Sequence, residues 1–198
     1  MFADIDTDEM WLENALKNMQ TGDLILFKGT RYHTLITGYF THIGVVIRRG
    51  NTPYLFEANS PTEMTLKEHH NKSGIFCTPV KERVEKYVGK CWWKRLTPEL
   101  INTGHIEEFV KYALENFEYE LGVIKNGIKK LIGLERCHKK TNCGELTLLT
   151  LIKLGVLDVK NYETKTYNHL KWIANMTEAD YGYKYLPIIY LKIQPFKE

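Results

Sequence analysis

Short apolar and β-branched runs separated by turn residues mark the first half of the chain, and apolar positions recur at helical spacing along the second. Met10, Trp11, Leu12, Ala15, Leu16 and Met19 follow a helical period and predict a short helix over 5–20. Thr21-Gly22-Asp23 breaks it, and Leu24-Ile25-Leu26-Phe27 reads as a short apolar strand. Residues 30–40 read as loop or a short helix. Thr41 to Arg48 is a β-branched run of strong strand character. A turn at Arg49-Gly50-Asn51 then pairs it with Tyr54–Ala58 as a hairpin. After a polar loop over 62–73, Gly74–Val80 and Lys90–Leu96 are strands flanking a helical turn around 81–88. Trp92 and Trp93 place one indole on each face of the second of these, one of them in the core.

The second half changes period. Ile106, Phe109, Val110, Ala113 and Phe117 share one face of a helix over 104–117. Shorter helical patterns cover 123–134 and 166–174. Residues 143–154 give the clearest helix, with Gly155 after its last turn as a stop. Tyr185–Ile193 reads as a final strand, which Pro187 places at a sheet edge or strand start. Strands first, then helices, then one strand predict a single α+β domain over 1–198, with an antiparallel sheet or partial barrel packed against helices.

Composition adds exclusions. The chain has 198 residues, 43% hydrophobic and 26% charged, which is ordinary for a globular protein. A net charge of +3 from 27 basic and 24 acidic residues is too mild for a nucleic-acid domain. The densest basic run, Lys125, Lys129, Lys130, Arg136, Lys139 and Lys140, reads as a solvated face or a contact with an anionic partner such as a phospholipid surface. Four cysteines are too few for a disulfide-stapled fold. The acidic start MFADIDTDEM lacks signal-peptide character, and no apolar run reaches the roughly 20 residues of a membrane span. The expectation is a cytoplasmic protein with free thiols, no transmembrane segment and no cofactor.

Cys143 follows Thr141-Asn142 and so falls in the first turn of the clearest helix. Free backbone N–H groups and a positive dipole favour a thiolate there and can hold an oxyanion beside Gly144. Taken alone, Cys143 reads first as a small buried hydrophobe. His42 opens a strand two residues before Gly44, which leaves room beside it, and an imidazole is a natural base for a thiol near neutral pH. Glu57, on the partner strand of the hairpin, can hold the second ring nitrogen of His42 or pair with Arg48 at the surface. Asn59 is a substitute for it, and Tyr32 and Tyr39 can line a cleft mouth. Cys137-His138 lacks the second pair that a zinc site requires, so no metal is expected. His69-His70 reads as solvated.

A Gly-Asp-Leu-Ile strand, then Thr-His-Ile-Gly-Val-Val, then Phe-Glu-Ala and later Asn-Cys-Gly-Glu-Leu opening a helix form an ordered set over roughly 20–155. This order resembles the permuted papain-like branch of the NlpC-type cysteine hydrolases. The likeness is to the YiiX-like proteins of bacteria and their poxviral relatives, with lecithin:retinol acyltransferase more distant. In papain the cysteine helix precedes the histidine strand; here, as in the permuted branch, the histidine strand comes first. The resemblance implies Cys143 as nucleophile, His42 as base and Glu57 as the residue orienting His42; Asn59, Asn142, Gly144, Tyr32 and Tyr39 are the residues expected near the substrate. Gly144 departs from the Ser often found after the nucleophile and removes no catalytic group. The activity implied is amide or ester hydrolysis, or acyl transfer, on a small-molecule, lipid or peptide substrate through an acyl-cysteine intermediate. A binding module that kept the fold and lost turnover is the alternative.

Overall fold

The hairpin at the centre of the sheet shows how local sequence sets register. In the computed structural model, which describes residues 8–28, 40–59, 73–96, 103–119, 140–157 and 185–193, strand β3 (His42–Arg49) turns through Gly50-Asn51 into β4 (Thr52–Asn59). Arg49 pairs with Thr52 and Val45 with Phe56. Gly50 takes φ 57°, the left-handed conformation that a two-residue hairpin turn demands. Outward from this pair lie β2 (Leu24–Lys28) and β6 (Lys90–Leu96) on one side and β5 (Gly74–Pro79) on the other, all antiparallel. Beyond β6 come β9 (Tyr185–Lys192) and β1 (Glu9–Trp11). The described residues thus form a seven-stranded sheet of order β1-β9-β6-β2-β3-β4-β5.

Helices cover both faces. Leu24, Leu26, Ile43, Val45, Ile47, Phe56 and Ala58 point to a core shared with α3 (Ile106–Asn116) and α4 (Cys143–Lys153). The alternate residues Ile25, Phe27, Val46 and Leu55 point the other way, to α1 (Leu12–Asn18) and α2 (Val80–Glu85). A central strand in a sheet buried on both sides is apolar at every buried position, as Leu24–Phe27 of β2 are. Trp92 and Trp93 are therefore both core, one in each layer, and not one core and one surface.

Three expected boundaries change. The helix expected over 5–20 begins only at Leu12, because Glu9–Trp11 pair in parallel with Tyr190, Leu191 and Lys192. That contact lies at the far end of the sequence, where local periodicity carries no trace of it. The last strand is second from the edge, not at it. Pro187 is accommodated because it lies in an irregularity of the β6–β9 ladder, where Lys94 pairs with Ile188 and Leu96 with Tyr185, and β1 pairs only with residues from Tyr190 on. The wholly antiparallel sheet gains one parallel strand, β1. The loops and helices expected at 30–39, 62–72, 123–134 and 166–174 lie outside the described residues.

Ahead of α4, β7 (Glu118–Tyr119) and β8 (Lys140–Thr141) pair in parallel, Tyr119 opposite Thr141. This short ladder fixes the backbone immediately before Asn142. α4 then packs on β3 and β4, and Gly155 at φ 72° closes it, with the Val156 N–H donating to the Leu151 carbonyl at 2.8 Å. Among the described residues no helix is long and apolar enough to cross a membrane.

Candidate active site

His42 is the first residue of β3 and lies directly across from Phe27 of β2. Their rings stand 5.3 Å apart, so the imidazole belongs to the layer facing α1 and α2. Glu57 of β4 points into the same layer and accepts from His42 Nε2 through Oε2 at 2.6 Å. Gly44 lies beside this contact: a Cβ there would stand 3.1 Å from Glu57 Cβ and 2.8 Å from Leu55 Cδ1. The glycine is what lets the carboxylate lie across β3. The room beside His42 is therefore taken by Glu57 and Leu55.

The other carboxylate oxygen of Glu57 accepts from Arg83 Nε of α2 at 2.7 Å. Arg83 is 1% exposed, and its guanidinium lies over the Phe27 ring at 4.5 Å and the Tyr87 ring at 5.3 Å. Burial alone would drive the Glu57 carboxyl up. The charge of Arg83, then the hydrogen bond and charge of His42, outweigh burial and hold it at about 2. Glu57 is a buried carboxylate with a cation on each oxygen.

Cys143 comes from the opposite layer. α4 packs in the core shared with Ile43 and Val45, and Cys143 lies against that core, half-buried. His42 stands at the starting end of β3. The Cys143 thiol is near enough to act electrostatically on the imidazole. Nε2 is taken by Glu57, and Nδ1 is the buried ring nitrogen that Glu57 does not use. Burial opposes a charged imidazole, yet the influence of Cys143, then the hydrogen bond and charge of Glu57, outweigh it and push His42 up to about 10.

The first turn of α4 is prepared for negative charge. Asn142 caps it, its side-chain oxygen accepting from Glu145 N at 3.0 Å, while its carbonyl accepts from Leu146 N at 2.9 Å. The N–H groups of Cys143 and Gly144 precede the first intrahelical bond and have no acceptor within the helix. Buried Gly144 puts no side chain beside them.

The structure therefore brings Cys143, His42 and Glu57 together, with Asn142 and Gly144 framing the thiol. Asn59 ends β4, fully buried and two residues beyond Glu57 on the same side of the strand, opposite Gly74. Tyr32, Tyr39, His33, Cys137 and His138 lie outside the described residues. His105 is exposed and paired with Glu108 at 3.3 Å. The surface pairing of Glu57 with Arg48 does not occur. Arg48 Nη1 donates to the carbonyls of Met19 at 2.6 Å and Leu16 at 3.3 Å and so closes the end of α1. Arg83 takes its place on Glu57 and is the residue that reading the sequence missed. In Val80-Lys81-Glu82-Arg83-Val84 it is one charge among several, and the available signal was its position on the apolar stripe of Val80, Val84 and Tyr87. Among the described residues, no group of three or more His, Cys, Asp or Glu side chains is placed to hold a metal ion.

No family model matches the sequence, and no curated protein matches it. Among solved structures, the metalloprotein yiiX from Escherichia coli O157:H7 is similar with a TM-score of 0.47 at 19% sequence identity, over 71% of this chain and 68% of that one.

Proposed function

We propose that this chain is a cysteine hydrolase or acyltransferase of permuted papain-like architecture, acting in the cytoplasm on an amide or ester of a peptide or lipid. The observation that carries this reading is one buried imidazole bonded to the carboxylate of Glu57 at 2.6 Å and under the electrostatic influence of the Cys143 thiol. A thiol at a helix start, a base beside it and an acid behind the base are the parts of an activated nucleophile.

The steps follow from these positions. His42 takes the Cys143 proton, and the thiolate attacks the substrate carbonyl. The oxyanion forms where the Cys143 and Gly144 N–H groups point. As the tetrahedral species collapses, His42 gives its proton to the departing amine or alcohol, leaving an acyl thioester on Cys143. Water or an acceptor hydroxyl or amine then loses its proton to His42 and attacks the thioester. The acyl group leaves, and the proton returns to sulfur. Glu57 stays ionised throughout and keeps the ring turned toward the thiol.

The test is acylation at Cys143. The full chain is incubated with p-nitrophenyl esters of graded chain length, with peptide anilides and with phospholipid vesicles. The Cys143 peptide is then read for an added acyl mass. Acylation and turnover are expected in the native protein, neither in Cys143→Ala, and turnover reduced about a hundredfold or more in His42→Gln. Turnover undiminished in Cys143→Ala overturns the reading. Tight retention of a lipid or peptide with no acyl mass makes the site a binding module.

A further inference from the structure

The geometry points to Arg83 as a positioning residue of this site: its guanidinium cancels the charge of Glu57, so that the imidazolium of His42 attracts the Cys143 thiolate without a net opposing carboxylate behind it. This rests on the proposed transfer of the Cys143 proton to His42 and assigns the site a fourth member, which never touches substrate.

Glu57 is needed next to His42 to fix the ring, but it lies in the same buried cluster as the thiol. A bare carboxylate there repels a thiolate through a low-dielectric interior and undoes part of what the imidazolium gives. Arg83 meets Glu57 on the oxygen that His42 does not use, at 2.7 Å. The cluster His42, Glu57 and Arg83 then carries one net positive charge toward sulfur. Without the guanidinium it carries none.

Stability does not account for a buried arginine here. A buried ion pair of this kind is often matched or bettered by apolar residues of similar volume. Phe27, Tyr87, Val80 and Val84 already supply an apolar setting into which such a side chain would fit. Nη1 of Arg83 is buried with no hydrogen-bond partner among the described residues, so its bonding is not optimised for packing. An arginine is also the cation best kept charged when buried. The charged and titratable groups around the cluster are Glu57 from β4, Arg83 from α2, Tyr87 just beyond it, Cys91 from β6, and Cys143 with Glu145 from α4. Burial pushes the Cys91 thiol well above the usual range, so it stays neutral and does not compete.

The experiment is alkylation of the full chain by iodoacetamide, followed at the Cys143 peptide by mass spectrometry. Its readout is the rate at about pH 6 divided by the rate at about pH 9, with folding checked by circular dichroism. The native protein should keep a high ratio, and Arg83→Gln should lower it by roughly tenfold, the effect of one pH unit. Arg83→Lys keeps the charge and should stay near the native ratio. The proposal is overturned if folded Arg83→Gln keeps the native ratio, or if Arg83→Lys falls as far as Arg83→Gln. Failure of Arg83→Lys to fold also overturns it, since the guanidinium is then structural. The underlying reading fails separately: it does so if native Cys143 alkylates with the profile of a free thiol and His42→Gln leaves that profile unchanged.

Discussion

A single methyl group added at Gly44 would enter space that Leu55 and Glu57 already fill, with contacts of 2.8 Å to Leu55 Cδ1 and 3.1 Å to Glu57 Cβ. Leu55 is fully buried and cannot swing into solvent, so either β4 moves or Glu57 does. Gly44→Ala is expected to cost about 1–3 kcal/mol in urea denaturation, as overpacking does. It should also slow alkylation of Cys143 at neutral pH, because the carboxylate that orients His42 is displaced. Gly50→Ala supplies the comparison. Its φ of 57° is unfavourable to any side chain, but a Cβ there meets nothing within 4 Å. It should cost about 1–2 kcal/mol through backbone strain and leave Cys143 unchanged. Equal slowing in the two variants would separate Gly44 from the site. At this scale the residue types already pointed to His42, Cys143 and Glu57, since a strand-start histidine and a helix-start cysteine are local features. Arg83 was not legible in the same way. What distinguishes it from Lys81 and Lys86 is the ring of Phe27 beneath it and the carboxylate of Glu57 ahead of it, contacts made across 56 and 26 positions of sequence.

α4 is the element whose start matters most. Asn142 Oδ1 takes the Glu145 N–H, which leaves the Cys143 and Gly144 N–H groups pointing outward. Asn142→Ala should destabilise the protein by about 1 kcal/mol in urea denaturation, the usual value of such a cap. Asn142→Asp keeps an acceptor and should hold stability close to native, yet it sets a negative charge beside the thiol. Alkylation of Cys143 near neutral pH should then slow several-fold; an unchanged rate would mean the first turn has little influence on the sulfur. The elements themselves divide by where their information lies. α4 carries its own cap, apolar run and glycine stop, so its bounds could be read from the consecutive residues Asn142 to Gly155. The hairpin β3–β4 carries its turn and its β-branched strands. β1 carries neither: Glu9-Met10-Trp11 becomes a strand only because β9 offers it a ladder. Helical periodicity through Leu12 and Ala15 had absorbed those three residues, and tertiary pairing overrode it.

At the scale of the whole molecule, two buried carboxylates pull the pH dependence of folding in opposite directions. Asp23 joins three segments: it accepts from Gln20 N at 3.0 Å, from Leu96 N at 2.8 Å and from Trp93 Nε1 at 2.9 Å. Burial nevertheless dominates these hydrogen bonds and raises its carboxyl from 3.8 to about 6. A carboxyl raised on folding contributes stability that is fully present below its unfolded value and is lost as pH climbs through the folded one. The Asp23 contribution should therefore decline between about pH 4 and pH 6, by an amount on the order of 3 kcal/mol for a shift of this size. Glu57 has the reverse sign. Its value falls from 4.5 to about 2, so its contribution is complete above 4.5 and is lost as pH drops toward 2. The sum should rise as pH falls from neutrality, peak near about 4.5, and decline below it. Urea midpoints measured from about pH 2.5 to pH 7 check this, with Asp23→Asn and Glu57→Gln as the separating variants. Asp23→Asn lowers stability throughout, since its amide turns a donor toward donors, but it should remove the rise between pH 7 and pH 4.5. Glu57→Gln should retain that rise and flatten the fall below it. A native curve with no rise on the acid side of neutrality would mean that the three hydrogen bonds to Asp23 compensate its burial in full, and that this junction between α1, β2 and β6 holds its charge without penalty.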